Sequence, residues 1–221
     1  MLSELFFTLL SKKPEILQKM TIAVIEREWK SKVLIGDNKL AIGQIGLILR
    51  PYPPRESAEL ANEIQKFIQE NSSSKIPVLI HDEGLHGCMA KGSTIFPQSI
   101  GLSCTWNPNL IKEMAEVIGK ETRTRGIHQV LSPTINIARD PRCGRTEETY
   151  GEDPYLTSKF AVAFVEGLQS QRVIATPKHY VANFAGDGGR DSYPIHFSER
   201  LMREIYLKPL KRSSKKEKLS L

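Results

Sequence analysis

No apolar run in this 221-residue chain is long enough to cross a membrane or to act as a secretory leader. The one candidate, residues 5–10 (LFFTLL), follows Glu4 and lacks a basic segment ahead of it. The chain as written is therefore expected to be soluble and cytoplasmic, with no membrane partner. Cysteine is scarce: Cys88, Cys104 and Cys143 are widely spaced, and no C-x-x-C pair occurs. That excludes a disulfide framework and the usual cysteine zinc sites, and leaves reduced, mostly buried thiols. No G-x-G-x-x-G is present, which argues against a dinucleotide fold, and no G-x-S-x-G elbow supports a serine hydrolase. Anionic partners are not called for either. The formal net charge is +6, but residues 211–221 carry five Lys or Arg against one Glu, so most of the excess is terminal. Without a basic face or interleaved aromatics, nucleic acid is not an expected partner.

What is present is ordinary globular composition, 40% hydrophobic and 25% charged, with length for one sizeable core. Short β-branched runs at 45–49 (IGLIL), 76–80 (IPVLI), 128–131 (HQVL) and 173–175 (VIA) each end in a polar loop, as buried parallel strands do. Helical patterns lie between them. Residues 56–69 place Leu60, Ile64, Phe67 and Ile68 on one face. Residues 107–125 open with Asn107 as N-cap and Pro108 at the first helical position, and put Leu110, Met114, Val117 and Ile118 inward. Residues 153–169 repeat the device with Asp153 and Pro154, and turn Leu156, Phe160, Phe164 and Leu168 to the core. A further helix starts at Ser198. This β-α alternation without hairpin signals implies an α/β fold with a parallel sheet. Long polar loops after the strands favour a TIM-type (β/α) barrel over a doubly wound sheet, and the countable units are about half of the eight a barrel needs. Residues 1–42 read as helix and connector.

Polar clusters sit at three successive strand ends, which share one rim in a parallel fold. His81-Asp82-Glu83 continues to His86. The stretch 132–154, SPTINIARDPRCGRTEETYGEDP, wraps prolines and glycines around Arg139, Arg142, Arg145 and five carboxylates. Lys178-His179 follows the fourth strand. Metal binding is the weaker reading of the first cluster, because its histidines are five apart and interrupted by glycine, unlike the i, i+4 spacing of H-E-x-x-H. Cys143 lies between Arg142 and Gly144, and flanking cations could activate its thiol, but no histidine is assigned to it and a structural role is favoured. Sugar chemistry fits better: carboxylates accept from vicinal hydroxyls while Arg, Lys and His donate to them. An ion-pair network at the rim is the competing structural explanation for the same residues.

Four segments, IPVLIHDEGLHG, SPTINIARDPRCGRTEETYGEDPYL, ATPKHYVANF and GGRDSYPIHFSERLMREIY, resemble in order and spacing the N-terminal barrel of glycoside hydrolase family 3, which contains β-glucosidases and β-xylosidases. The resemblance spans about residues 43–208. It implies a retaining hydrolase of terminal β-D-glucosyl or β-D-xylosyl residues, with an oligosaccharide or β-glycoside as partner and no cofactor or metal. By the resemblance, the substrate-binding residues are Glu83, Arg145, Lys178, His179 and Arg190. Cys143 stands where the family often has Trp.

The departures limit what the resemblance implies. The family's aspartate nucleophile lies on a later strand in a motif like S-D-W, and its acid/base usually comes from a second domain. No S-D-W occurs here, so no catalytic residue is assigned and little or no turnover is expected from this chain. Residues 209–221 are expected to be a basic, solvated terminus arising from a truncation or frame shift. A non-catalytic sugar-binding fragment and a half-barrel completed by a second chain are the alternatives. An unpaired sheet edge is expected to promote self-association.

Overall fold

The computed structural model describes residues 44–71 and 75–216. The helix and connector expected over 1–42 and the last five residues lie outside the described residues. Two compact units are present: Met1–Asp82 with Ala90–Gly92 and Thr124–His128, and Glu83–Met89 with Ser93–Arg123 and Gln129–Leu221.

In the first unit, β1 (Gln44–Gly46) and β2 (Leu79–Asp82) pair in parallel, with Ile45 opposite Ile80. Between them runs α1 (Pro54–Asn71). Its apolar stripe, Leu60, Ala61, Ile64, Phe67 and Ile68, is buried as the periodicity implies. Burying each large side chain of this kind contributes about 1.5–3 kcal/mol. The Gln65 amide ties the helix to the strand, donating to the Val78 carbonyl (2.7 Å) and accepting from its N–H (2.9 Å). Arg125 is almost fully buried, yet its Nη1 and Nη2 donate to the carbonyls of Tyr52 (3.0 Å) and Lys91 (2.6 Å), which offsets the loss of water. The second strand begins later than the sequence pattern implied. Ile76 is 66% exposed, and only from Leu79 onward does the segment have β1 as a partner.

The second unit holds α2 (Ser99–Ser103), α3 (Pro108–Thr124), β3 (Gln129–Val130), α4 (Pro154–Ser170) and β4 (Ile174–Ala175). It continues through α5 (Glu199–Leu201), a π-turn (Met202–Tyr206) and α6 (Leu207–Lys216). β3 and β4 are parallel, Val130 opposite Ala175. The expected caps form: Asn107 Oδ1 accepts from the N–H groups of Asn109 and Leu110, and Asp153 Oδ1 from Leu156. Ile111, Met114, Ala115 and Ile118 of α3 meet Phe160, Phe164 and Leu168 of α4 in one core with Val130 and Ala175. Gly167 permits this approach, since a Cβ there would lie 2.5 Å from the Lys112 carbonyl oxygen.

Two expectations are corrected here. Leu110 and Val117 are about two-fifths exposed (42% and 41%); the buried stripe of α3 is centred one residue later, about 100° round the helix, on the small residue Ala115 that faces Gly167. The basic stretch from Pro209 is not a solvated terminus over its described part. The helix runs on to Lys216, with Tyr206, Pro209 and Ser213 buried at helical spacing and α6 lying against α4. Pro209 lacks an N–H and would crowd the carbonyl four residues back in an α-helix. The ladder has already slipped to i→i+5 just ahead of it, where the Leu207 N–H donates to the Met202 carbonyl. Lys211, Arg212 and Ser214 lie on its exposed face while Ser213 is buried, so composition alone conceals the inner face.

Candidate functional site

All members of the candidate site belong to the second unit. Glu83 is the first residue past β2. Beyond β3, the chain stays extended through Ser132–Pro133, a cis peptide, and pairs again beyond β4 in a bridge between Thr134 and Lys178. The Lys178 N–H donates to the Pro133 carbonyl, and the Ile135 N–H to the Lys178 carbonyl. That pairing places Thr134 and Asn136 beside Lys178-His179. Alternation then sends Ile137 into an apolar cluster, buries Ile135, and leaves Thr134 and Asn136 buried as well.

Lys178 Nζ donates to Glu83 Oε2 at 2.8 Å. Arg145 grips Glu148 with a fork, Nε to Oε1 at 2.7 Å and Nη2 to Oε2 at 2.8 Å, and reaches Asp191 Oδ2 at 3.4 Å with Nη1. The fork is set by sequence spacing, because the 3₁₀ turn Thr146–Glu148 brings i and i+3 to one side. Thr134 Oγ1 also donates to Glu148 (3.3 Å). Burial works to raise the Glu148 carboxyl, but the Arg145 fork and charge, the Lys178 charge and the Thr134 hydroxyl together hold it below the usual range. His179 donates its backbone N–H to Asn136 Oδ1 (3.0 Å), and its Nδ1 lies 2.8 Å from the same oxygen. Burial, then the charges of Arg145 and Lys178, push the imidazole down to about 4 against the weaker pull of Asp191 and Glu148. The ring is therefore neutral at ordinary pH. Phe184 is buried beneath both Arg145 (5.1 Å) and His179 (5.5 Å between rings). Ala182, at φ 58°, makes the left-handed turn that admits it.

Four of the five residues singled out in the sequence thus converge: Glu83, Arg145, Lys178 and His179. Arg190 does not join the network; it is exposed and sits 5.2 Å over Tyr193. Its neighbour Asp191 enters instead, held by Asn183 Nδ2 at 2.5 Å. Of the other loop arginines, Arg142 is clasped to Asp140 through Nε (2.9 Å) and Nη2 (2.6 Å). That hydrogen bonding holds the Asp140 carboxyl down to about 2. The ligand-like run at 81–86 is divided between the two units. Asp82 is buried against Arg50 in the first unit (2.7 Å), while His86 Nδ1 lies 2.9 Å from the Phe96 carbonyl oxygen in the second. Cys143 is a buried free thiol. Sequence reasoning missed Glu148, Asn136, Thr134, Asp191 and Phe184. Only Glu148 carried a signal, its i+3 spacing from Arg145.

Chemically this is a set of fixed donors and acceptors: an ammonium, a guanidinium, carboxylates and a neutral imidazole. Such a set suits a polyhydroxylated ligand, whose hydroxyls both donate and accept.

A family model, the glycosyl hydrolase family 3 N-terminal domain, matches residues 15–219. The chain belongs to that family. A β-xylosidase from Formosa agariphila is 39% identical over 167 residues, 69% of this chain and 23% of that protein. Among solved structures, a β-glucosidase from Erythrobacter marinus aligns with a TM-score of 0.75 and 33% identity over 78% of this chain and 24% of its own. A β-glucosidase from Listeria innocua in complex with glucose aligns at 0.63 and 30% identity, over 68% of this chain and 21% of its own. The fold is accordingly the family's TIM-type α/β fold, and the chain spans about a quarter or less of these relatives' length. Among the described residues no helix is long and apolar enough to cross a membrane.

Proposed function

We propose that this chain supplies the sugar-gripping wall of a retaining β-glycoside hydrolase acting on terminal β-D-glucosyl or β-D-xylosyl residues. The observation that carries the reading is the paired arrangement of Lys178 with Glu83 and Arg145 with Glu148, flanked by a neutral His179. Each cation holds its carboxylate in place while both remain partly open to water, with side-chain exposures of 14% and 31% for Lys178 and Glu83. A sugar ring can then replace water without first ordering the side chains, which lowers the cost of binding. The glucose complex of the Listeria innocua relative supports a hexose as the ligand.

Retaining hydrolysis needs a carboxylate nucleophile and a proton donor about 5–5.5 Å apart. Glu148 is a poor donor, because Arg145 and Lys178 favour its ionised form. The proposed division of labour is that Glu83, Arg145, Lys178 and His179 bind the glycone, while the bond-cleaving carboxylates are not among these residues. The 221-residue chain then binds glucose or xylose and leaves an aryl β-glucoside intact. Calorimetric titration with each sugar, alongside an aryl-glycoside assay, tests both halves. Binding lost in Glu83→Ala supports the cradle. Turnover by the isolated chain, abolished in Glu83→Ala, overturns the division of labour. Turnover only after addition of a second polypeptide favours a half-barrel completed in trans.

A further inference from the structure

We propose that Asn136 is a positioning residue that fixes the proton of His179 on Nδ1 and leaves Nε2 as a hydrogen-bond acceptor for a sugar hydroxyl. The second clause rests on the glycone-cradle reading; the first does not.

The assignment follows from donor logic. One side-chain atom of Asn136 lies 3.0 Å from the His179 backbone nitrogen and 2.8 Å from His179 Nδ1. A backbone N–H can only donate, so that atom is the amide oxygen and the orientation of the amide is settled. An oxygen facing Nδ1 requires a proton there. In a neutral imidazole, Nε2 then carries the lone pair. The ring is kept neutral by burial and by the cations Arg145 and Lys178, with Glu148 and Asp191 opposing them more weakly.

Asn136 gains nothing for itself at this place. It is only 4% exposed, between the buried Ile135 and Ile137, and its Nδ2 has no hydrogen-bond partner among the described residues. An unpaired buried amide N–H is unfavourable, so the benefit of the residue lies in its oxygen. Two bonds from that one oxygen set both the backbone of His179 and the tautomer of its ring. Lys178 and His179 then present opposite chemistries side by side: Nζ donates and Nε2 accepts. A hydroxyl satisfies both kinds of partner, whereas a fluorine or methoxy substituent has no proton to give to Nε2. The positioning residue thereby becomes part of how the cradle tells a free hydroxyl from a blocked one.

The test is NMR of the 221-residue chain labelled with ¹⁵N at histidine, which reads the protonation of each ring nitrogen without any sugar. The wild-type chain is expected to show Nδ1 protonated and Nε2 bare at neutral pH. In Asn136→Ala the preference for Nδ1 is lost, and affinity for glucose falls about tenfold, as for one hydrogen bond lost. Asn136→Asp retains an acceptor oxygen, so Nδ1 stays protonated while the added charge moves the His179 titration upward. That second variant serves if the alanine variant does not fold. A wild-type His179 protonated on Nε2 overturns the proposal. So does a folded Asn136→Ala chain with an unchanged tautomer, or an Asn136→Asp chain whose His179 titration does not move. If the tautomer pattern holds but glucose does not bind, the control of His179 by Asn136 stands and the cradle reading fails.

Discussion

Replacing Glu148 with alanine removes both oxygens of the Arg145 fork at once. The fork consists of two charge-assisted bonds, 2.7 and 2.8 Å, between side chains exposed by 31% and 14%. Breaking one member of a fully buried pair costs about 3–5 kcal/mol because the other charge is stranded. Arg145 is not stranded to that extent. Water reaches a third of it, and Asp191 remains at 3.4 Å. Discounting for both leaves about 1–3 kcal/mol. In a protein of this size each kcal/mol shifts Tm by about 2–4 °C, so the melt should fall by roughly 2–12 °C. Thermal unfolding followed by circular dichroism at neutral pH and moderate salt measures it. Glu148→Gln keeps the shape and one acceptor and should lose less. A Glu148→Ala chain that melts within about 1 °C of wild type would refute the reasoning, because it would mean that water replaces the fork at no cost.

Acid should weaken the fold through the same cluster. His179 is held down to about 4 against an ordinary 6.5, so the unfolded chain takes up its proton first and stability falls as pH drops through that window. Glu148, held below the usual carboxylate range, adds stability present above that range and lost as pH falls through its lowered value. A urea midpoint that is flat between about pH 6.5 and 4 would contradict the sign for His179, and one that does not fall further below that range would contradict the sign for Glu148. Self-association is expected as well, because Trp106 (74%) and Ile95 (68%) are exposed in the second unit and Ile174 on β4 is 39% exposed. Sedimentation showing a single monomer up to high concentration would count against it.

The fold was largely legible because its signals are local. Pro108 and Pro154 follow capping residues that do cap, and the stripes of α1 and α4 fall at the spacing that buries them. What failed depended on a neighbour. The stripe of α3 is set by where Gly167 lets α4 approach, the start of β2 by where β1 is available, and the packing of α6 by the π-turn that accommodates Pro209. The site divides in the same way. Glu83, Arg145, Lys178 and His179 stand out as charged or titratable residues at strand ends. Asn136 and Thr134 are plain polar residues within an alternating segment, and only the pairing of Thr134 with Lys178 gives them a role. Arg190 and Asp191 are adjacent in sequence, so charge alone does not say which one the loop turns inward; Asn183 decides it by holding Asp191.

Titration of glucose into the 221-residue chain, wild type against Glu83→Ala and Lys178→Met, tests the glycone cradle most directly. Saturable binding to the wild-type chain, weakened at least about tenfold in each variant as expected for a lost charge-assisted hydrogen bond, is the predicted result. No binding by a folded wild-type chain, or equal binding by all three, would contradict it and leave the cluster as an ion-pair network that only holds the fold.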